Sequence, residues 1–298
     1  MMKGIWIVFL LALAQISFAQ ARFDTLGFVK DQAILDHFTE KATELFNAGE
    51  YEGSYDLSQS MRFYKSAKVE FQKAAKKSEF NFSELKEGVL IVAKLYLCEN
   101  CPNYHLNTAS GFVINEQGYC VTNHHMLHRD KKSQSMILAY YAMDHKGNVY
   151  PIKKVVAANQ DNDLAVFKVE TNVPLTALSL GDNNEVGENV HLISNPDKMF
   201  YTYSNGVITR SYYHSYFNAL RQSMSAEFAK GSSGAPVFND KGHVVGIVSA
   251  TRTVTYTKDK GVQMVVRDII PVSELKQMCN REIKSQNAGK RFVPGMRM

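Results

Sequence analysis

The sequence has few cysteines and no dense block of positive charge, and both absences narrow what the chain can be. Four cysteines in 298 residues are too few for a small disulfide-stabilised scaffold. The formal net charge of +5 is modest, and outside the C-terminal tail no Lys/Arg stripe with a base-reading motif accompanies it, so no nucleic-acid partner is expected. The apolar content of 45% and the charged content of 21% are typical of a folded globular domain.

Long apolar runs are also absent after the first twenty residues, so no transmembrane helix is predicted in the mature chain. Residues 1–19 combine an early cation, Lys3, an apolar run, and small residues at Ser17 and Ala19. This is the pattern of a secretory signal peptide cut after Ala19, with an uncleaved anchor as the alternative. We therefore expect an exported protein, periplasmic or extracellular, without a stable membrane anchor after cleavage.

The cysteines are Cys98, Cys101, Cys120 and Cys279. The first two have a C-x-x-C spacing, for which a local disulfide is the preferred interpretation, free thiols come next, and a redox or metal role is the remaining alternative. No second Cys or His pair completes a zinc pattern in the sequence. We accordingly predict no metal site and no cofactor.

The chain divides into a helical part and a β-rich part. Apolar residues recur at helical spacing from Asp31 to Ser78, with a break near Gly49 to Gly53, which predicts an α-helical hairpin. The second helix of that hairpin is predicted from a stripe made of Met61, Tyr64, Lys68, Phe71 and Ala75. The hairpin is expected to pack on the rest of the protein, to act as a pro-segment or to mediate assembly.

After Lys86 short β-rich runs alternate with turn sequences, which favours a sandwich or a barrel. A closing helix is predicted at Pro271–Met278, followed by a basic, polar tail. The predicted strands are Val89–Leu95, Ser110–Ile114, Cys120–Asn123, Met136–Tyr141, Leu164–Val169, Val190–Ile193, Gly206–Thr209 and Val244–Val248.

Three motifs in one order carry the chemistry. The first motif consists of Ser110-Gly-Phe-Val-Ile followed by Val121-Thr-Asn-His-His-Met126. The second is Asp161-Asn-Asp-Leu-Ala-Val-Phe-Lys168, and the third is Lys230-Gly-Ser-Ser-Gly-Ala-Pro-Val237. A serine hydroxyl needs a base to remove its proton, and histidine has a suitable pKa. A carboxylate then orients the imidazole, and backbone N–H groups of a tight glycine turn stabilise the oxyanion. The order His, Asp, Ser differs from that of α/β-hydrolases and of subtilisins.

These motifs resemble the trypsin-like (chymotrypsin-fold) serine proteases, in particular the bacterial high-temperature-requirement (HtrA-type, Deg-like) branch. The resemblance covers roughly Gly88–Leu275. Further matching segments are Leu180-Gly-Asp182, Val186-Gly187, Asn195-Pro196, Gly206-Val-Ile208 and Gly242-His-Val-Val-Gly-Ile-Val-Ser249. It implies an all-β double six-stranded barrel (chymotrypsin-like), here with an N-terminal α-helical hairpin and a C-terminal helix. We expect a signal peptide at 1–19, a helical segment at 20–86, the protease domain at 87–279 and a disordered tail at 280–298.

The resemblance also assigns roles to single residues. It implies a catalytic triad of His125, Asp163 and Ser233, chosen over their neighbours His124, Asp161 and Ser232 by register. The oxyanion donors are expected to be the N–H groups of Gly231 and Ser233. The residues expected to bind substrate are Ser249, Ala250 and Thr251 as a strand partner, with Glu227 and Phe228 near the base of the S1 pocket.

The sequence departs from the family pattern at three places. Ser232 replaces the Asp that pairs with a freed N-terminus in trypsin, so activation by that route is not expected. Ala235 replaces a usual Gly near the nucleophile, and Thr251 replaces a Gly, which would restrict bulky P1 side chains. No PDZ domain is expected after Leu275.

The sequence thus predicts a serine endopeptidase that hydrolyses peptide bonds of exported or envelope proteins through an acyl-enzyme. The expected partner is a protein or peptide substrate, and the oligomeric state is left open. The alternatives are a catalytically silent protease-like protein that binds peptide, and an esterase that uses the same triad. Glu227 would favour Lys or Arg at P1 and Phe228 would favour small apolar residues, so the P1 preference stays open.

Overall fold

The structure is a computed structural model that describes residues 23–25, 27–63, 66–73, 79–98, 101–128, 136–216, 218–257 and 260–280. The predicted signal peptide at 1–19 and the predicted tail beyond residue 280 lie outside these residues. Both therefore stay predictions, as do the proposed domain boundaries. None of the helices in the described ranges is long and apolar enough to cross a membrane.

The N-terminal part is helical and packs on the β-rich part. A two-stranded ribbon, β1 (Asp24–Thr25) and β2 (Phe28–Val29), precedes helices α1 (Asp31–Asn47), α2 (Ser54–Ser60) and α3 (Phe82–Leu85). Helix α1 buries Ile34, Phe38 and Ala42 on one face, because these residues recur every three to four positions.

The helical hairpin is confirmed only in part, since its second helix is short. Helix α2 ends at Ser60, and residues 66–73 are not helical. The N–H groups of Ala67 and Val69 donate to the carbonyl oxygens of Met278 and Cys279. The prediction of a helix along Met61–Ala75 was therefore wrong over 66–73, because tertiary partners satisfy this backbone in an extended form.

The first half of the β-rich part is a seven-stranded sheet with strand order β7-β6-β3-β4-β5-β9-β8. Successive side chains of β3 point to opposite faces, and both faces are buried: Ile91 and Ala93 join one apolar cluster, whereas Leu90 and Val92 join another. The strands are β3 (Val89–Leu97), β4 (Tyr104–Asn115), β5 (Tyr119–Thr122), β6 (Met136–Met143), β7 (Val149–Pro151), β8 (Lys154–Asn159) and β9 (Leu164–Lys168), with the short helix α4 (His124–Leu127) between β5 and β6.

The second half is a closed six-stranded barrel with strand order β10-β11-β12-β15-β14-β13. Its strands are β10 (Asn189–Ser194), β11 (Thr202–His214), β12 (Ala219–Met224), β13 (Pro236–Phe238), β14 (Val244–Thr257) and β15 (Lys260–Pro271). Helix α5 (Val272–Asn280) follows directly and confirms the predicted closing helix. Every predicted strand overlaps an observed one.

The predicted pair of six-stranded barrels is not confirmed as such. One closed six-stranded barrel is present, and its partner is a curled sheet of seven strands. The two halves meet where the residues that follow β5 and those that precede β9 approach the turn before β13, and the three predicted triad residues lie in these three segments.

Candidate active site

His125 and Asp163 are brought together by the ends of two neighbouring strands. His125 follows β5 in helix α4, and Asp163 immediately precedes β9, the strand that pairs with β5. The imidazole Nδ1 lies 2.9 Å from Oδ2 of Asp163 and 3.0 Å from Oδ1. The backbone N–H of His125 also donates to Oδ1 at 3.0 Å. The carboxylate therefore holds both the ring and the backbone of the histidine.

The conformation of Asp163 explains why its carboxylate turns toward helix α4. Its φ is 57°, a left-handed conformation that Asp tolerates better than most residues. Its carbonyl oxygen accepts from the N–H of His124 and from the side-chain amide of Asn123. The whole residue is thus fixed against the start of the helix by four bonds from three consecutive residues.

His124 faces away from this pair. Its ring stacks on His128 with centroids 5.5 Å apart and lines a separate cavity of about 560 Å³ next to Met61 and Asp161. Burial lowers the pKa of His124, and the neighbouring His128 acts in the same direction. Since the exposed His125 ring is the one that contacts Asp163, the geometry favours His125 over His124.

Ser233 lies in a tight turn that packs against the first sheet. Gly231 has φ +99° and Gly234 has φ +84°, and both conformations favour glycine. A Cβ at Gly234 would lie 2.4 Å from the carbonyl oxygen of Ser110 and 2.5 Å from Oγ1 of Thr122. Close approach to Thr122, three residues before His125, places the serine turn beside the histidine.

The hydroxyl of Ser233 is not hydrogen-bonded to His125 in this structure. Within the described residues, Ser233 Oγ donates to the carbonyl oxygen of Ser249 at 3.4 Å. The adjacent Ser232 is fully buried and its hydroxyl donates to Ser194 Oγ. Two of the three predicted triad side chains, His125 and Asp163, are therefore in contact. The third, Ser233, instead contacts the carbonyl oxygen of Ser249.

Two N–H groups of the serine turn are available for an oxyanion. The N–H groups of Ser232, Gly234 and Ala235 donate to backbone carbonyls. Across the residues that the structure describes, neither Gly231 nor Ser233 donates its N–H to a protein acceptor. These are the two donors predicted from the sequence.

Ser110 links the first sheet to the serine turn through contacts that the sequence did not reveal. It is fully buried on β4, and its hydroxyl donates to the carbonyl oxygen of Gly231 at 3.0 Å. Ser110 Oγ accepts from the backbone N–H and the side-chain amide of Asn195, and the backbone N–H of Ser110 donates to the carbonyl oxygen of Ser233. Ser110 and Asn195 were noted only as parts of motifs, because a hydrogen-bond network between distant segments leaves no local pattern.

Arg221 is a second residue that sequence reasoning missed. It is buried, and its guanidinium donates to the carbonyl oxygens of Leu220 and Asp161. Burial lowers the pKa of Arg221, and the carboxylate of Asp163 opposes that shift.

Residues Ser249, Ala250 and Thr251 offer a strand edge next to Ser233. On one side, β14 pairs with β15 through Ala250 and Thr251. On the other side its pairing with β13 stops at Ile247, after which the N–H of Gly234 bonds to the carbonyl of Val248. The free edge that follows is suited to an added peptide strand.

Glu227 and Phe228 are placed differently from each other. The Glu227 side chain is 82% exposed and its Oε1 lies 2.9 Å from Nη2 of Arg267. Phe228 is buried in the apolar cluster inside the barrel. A carboxylate that faces solvent and is paired with an arginine is not the buried acidic floor that would select Lys or Arg.

A separate group of metal-ligand side chains lies at the tip of the β3–β4 hairpin. The sulfur atoms of Cys98 and Cys101 are 3.0 Å apart, and Cys101 Sγ lies 2.8 Å from Nε2 of His105. The disulfide that the sequence favoured between Cys98 and Cys101 is not formed in this structure.

Comparison with known proteins agrees with this geometry. Residues 109–247 match the family described as "Trypsin-like peptidase domain", a range that contains His125, Asp163 and Ser233. A crystal structure of Deg5 superimposes with a TM-score of 0.51 and 26% sequence identity, covering 66% of this chain and 88% of that chain.

Two curated proteins extend the comparison. A probable periplasmic serine endoprotease, DegP-like, from Hahella chejuensis is 32% identical over 195 residues, which are 64% of this chain and 38% of that protein. Protease Do-like 5, chloroplastic, from Arabidopsis thaliana is 31% identical over 176 residues, which are 55% of this chain and 54% of that protein. The chain therefore spans only about a third to a half of the length of these relatives.

Proposed function

We propose that this chain is a serine endopeptidase of the trypsin-like, HtrA-type class, with His125, Asp163 and Ser233 as its catalytic triad. The match of residues 109–247 to the trypsin-like peptidase domain and the similarity to DegP-like proteases support this proposal. The observation that carries the proposal is the pair of contacts, 2.9 and 3.0 Å, between His125 Nδ1 and the Asp163 carboxylate. An oriented imidazole beside a glycine turn with two free N–H groups is the arrangement that acyl transfer to serine requires.

In the proposed reaction Ser233 attacks the substrate carbonyl while His125 removes the hydroxyl proton. With Nδ1–H donated to Asp163, the lone pair of the neutral ring is on Nε2, which is the atom that accepts this proton. The imidazolium then protonates the leaving amine, and a water molecule hydrolyses the acyl-enzyme by the reverse sequence. The N–H groups of Gly231 and Ser233 stabilise the oxyanion in both steps.

The serine hydroxyl must rotate before this reaction can begin. In the present structure it donates to the carbonyl oxygen of Ser249, and this bond must break for the hydroxyl to turn toward His125. Rotamer changes of an accessible side chain are fast compared with turnover. The substrate strand that pairs along Ser249–Thr251 would itself occupy the edge next to the hydroxyl.

The proposed substrates are exported or envelope proteins, cleaved after uncharged residues. The ion pair between Glu227 and Arg267 already occupies the carboxylate that the sequence offered for a cationic P1 side chain. Among the relatives, one is named periplasmic and one chloroplastic, which supports a protease that acts outside the cytosol.

The test is labelling of the purified protein with a fluorophosphonate probe, which reacts with activated serines. We expect the wild type to be labelled and Ser233→Ala to be unlabelled. Ser232→Ala serves as the matched control, because its hydroxyl is buried against Ser194, and it should be labelled like the wild type.

Because Ser233 contacts Ser249 and not His125, a second candidate function is a protein that binds peptides without cleaving them. If the wild type is not labelled yet retains peptide substrates, the chain is that binding protein. Parallel assays on peptides and simple esters distinguish an endopeptidase from an esterase, since an esterase would leave folded and unfolded protein substrates intact.

A further inference from the structure

The hairpin between β3 and β4 brings three soft ligands together although the sequence separates them. In its register Leu97 pairs with Tyr104 and Tyr96 pairs with His105. Cys98 follows β3 directly and Cys101 stands shortly before β4, and both sulfur atoms lie close to the ring of His105 or to one another at this end of the paired strands.

We propose that Cys98, Cys101 and His105 form a binding site for a thiophilic metal ion, with Zn²⁺ as the reference ion. The two thiols and the imidazole Nε2 all lie within 4.8 Å of one another. Cys₂His sets with one open position are a known zinc arrangement, and thiolates select Zn²⁺ over the hard cations Mg²⁺ and Ca²⁺.

The distances allow a metal to enter with small side-chain movements. In a tetrahedral site with Zn–S bonds of about 2.3 Å, two sulfur ligands lie roughly 3.8 Å apart. A sulfur and a nitrogen ligand lie about 3.6 Å apart in the same geometry. The observed separations of 3.0 Å between the two sulfur atoms and of 2.8 Å from Cys101 Sγ to His105 Nε2 are each less than an ångström shorter than the matching value.

The charge and the surroundings fit such an ion. Two thiolates and a neutral imidazole cancel the charge of Zn²⁺. The partly buried position of all three residues therefore buries no uncompensated charge. Each binding event releases the thiol protons to solvent and is therefore favoured by higher pH. The open fourth position leaves room for water.

The site is adjacent to the N-terminal helix and so has a structural consequence. Tyr104, next to His105, packs edge-to-face on Phe46 of α1 with ring centroids 5.6 Å apart. A cavity lined by Gln32, Asp36, His105 and Lys198 separates the hairpin from the helix. A metal that fixes the hairpin tip is expected to stabilise the packing of α1 on the sheet.

The experiment uses the full chain, reduced and stripped of metal, and titrates it with Co²⁺ and then Zn²⁺. One equivalent of Co²⁺ should produce a thiolate-to-metal charge-transfer band and intense tetrahedral d–d bands, which Zn²⁺ abolishes. Cys98→Ser and His105→Ala should weaken binding at least ~100-fold, since loss of an outer-shell partner alone costs 10–100-fold. Cys279→Ala and His191→Ala, which alter a thiol and an imidazole elsewhere, should bind normally.

A second measurement needs no variant. Saturating Zn²⁺ should slow the alkylation of Cys98 and Cys101, mapped by mass spectrometry, whereas Cys120 and Cys279 are buried and should react equally slowly with and without the metal. Zn²⁺ should also raise the unfolding temperature of the wild type. Absence of the thiolate–cobalt band overturns the proposal, as does equal affinity of wild type and His105→Ala. A Cys98–Cys101 disulfide that persists under mild reduction, with no bound metal, also overturns it.

Discussion

The backbone N–H of Asp197 donates to the carbonyl oxygen of Lys230 at 2.6 Å. A trans peptide unit points its carbonyl and its N–H in opposite directions, so this bond turns the N–H of Gly231 toward the proposed oxyanion position. The loop that supplies the donor is strained, because Asp197, Lys198 and Tyr201 all have positive φ. Something must hold it in place.

Asp31 at the start of α1 is one such restraint, since its Oδ1 accepts from the N–H of Phe200 at 2.9 Å. We expect Asp31→Ala to lower kcat for peptide cleavage about 10-fold, less than the 10²–10³ that loss of a whole oxyanion donor costs. KM should change little, because the strand edge for substrate is untouched. Steady-state kinetics with Asp36→Ala as the control, a carboxylate on the same helix, measures the effect. Equal kcat values in the two variants would show that the Asp31 contact does not influence the oxyanion turn.

Asp163→Asn should reduce kcat about 10⁴-fold, because an amide cannot hold His125 in the tautomer that leaves Nε2 free. The comparison is Asp161→Asn, two residues away and exposed, for which near wild-type turnover is expected. Both variants are assayed on the same peptide. A comparable loss in both would mean that the approach loop, and not the carboxylate contact, controls activity.

Cleavage-site profiling with a proteome-derived peptide library should show no enrichment of Lys or Arg at P1. The reason is that the Glu227 carboxylate is exposed and paired with Arg267. Glu227→Gln should therefore leave the P1 profile and kcat/KM unchanged. A basic P1 preference that disappears in this variant would show that Glu227 reaches the pocket in the bound state.

Stability should fall as the pH drops through the range where histidine titrates. Burial lowers the pKa of His124 below its usual 6.5, so the unfolded chain takes up this proton first and protonation favours unfolding. This destabilisation is absent well above pH 6.5, and it increases as the pH falls until the ring is protonated in the folded chain as well. Thermal unfolding of Ser233→Ala, which cannot digest itself, should show a lower Tm at about pH 5 than at about pH 7.5.

The double variant Ser233→Ala/His124→Gln isolates the contribution of this ring. It retains His145 and His243, whose pKa values are also lowered by burial, so any difference between the two proteins belongs to His124. We expect a smaller loss of Tm in the double variant. Parallel losses would assign the acid sensitivity to other groups.

Local patterns were sufficient where a segment is governed by its own side chains. The apolar runs of β3 and β14 and the stripe of α1 predicted their elements correctly. The extended segment around Ala67 and Val69 was misread as a helix because its partners, Met278 and Cys279, are far away in sequence. Short or polar strands such as β12 and β13 were missed for the same reason, because hydrogen bonds to neighbouring strands of the barrel, and not their own side-chain pattern, make them strands.

The candidate site shows the same division. Motif register selected His125 and Asp163, which lie together, because both stand at the ends of strands that pair. The bridging role of Ser110 and the closeness of His105 to Cys101 depend on cross-strand register and on contacts between distant segments. Neither can be read from spacing along the chain.

The bonds from Ala67 and Val69 to the last turn of α5 also set an order of events during synthesis. A chain that leaves the ribosome or a translocation channel from its N-terminus cannot close this contact until roughly 210 further residues have followed, and such distant contacts form late in folding. The segment around Ala67 and Val69 must wait until then without these backbone partners, whereas α1 packs on β4, β6 and β7, which are synthesised earlier. Cleavage or truncation that removes the last turn of α5 would accordingly release the segment around Ala67 and Val69, which lies near the other end of the sequence.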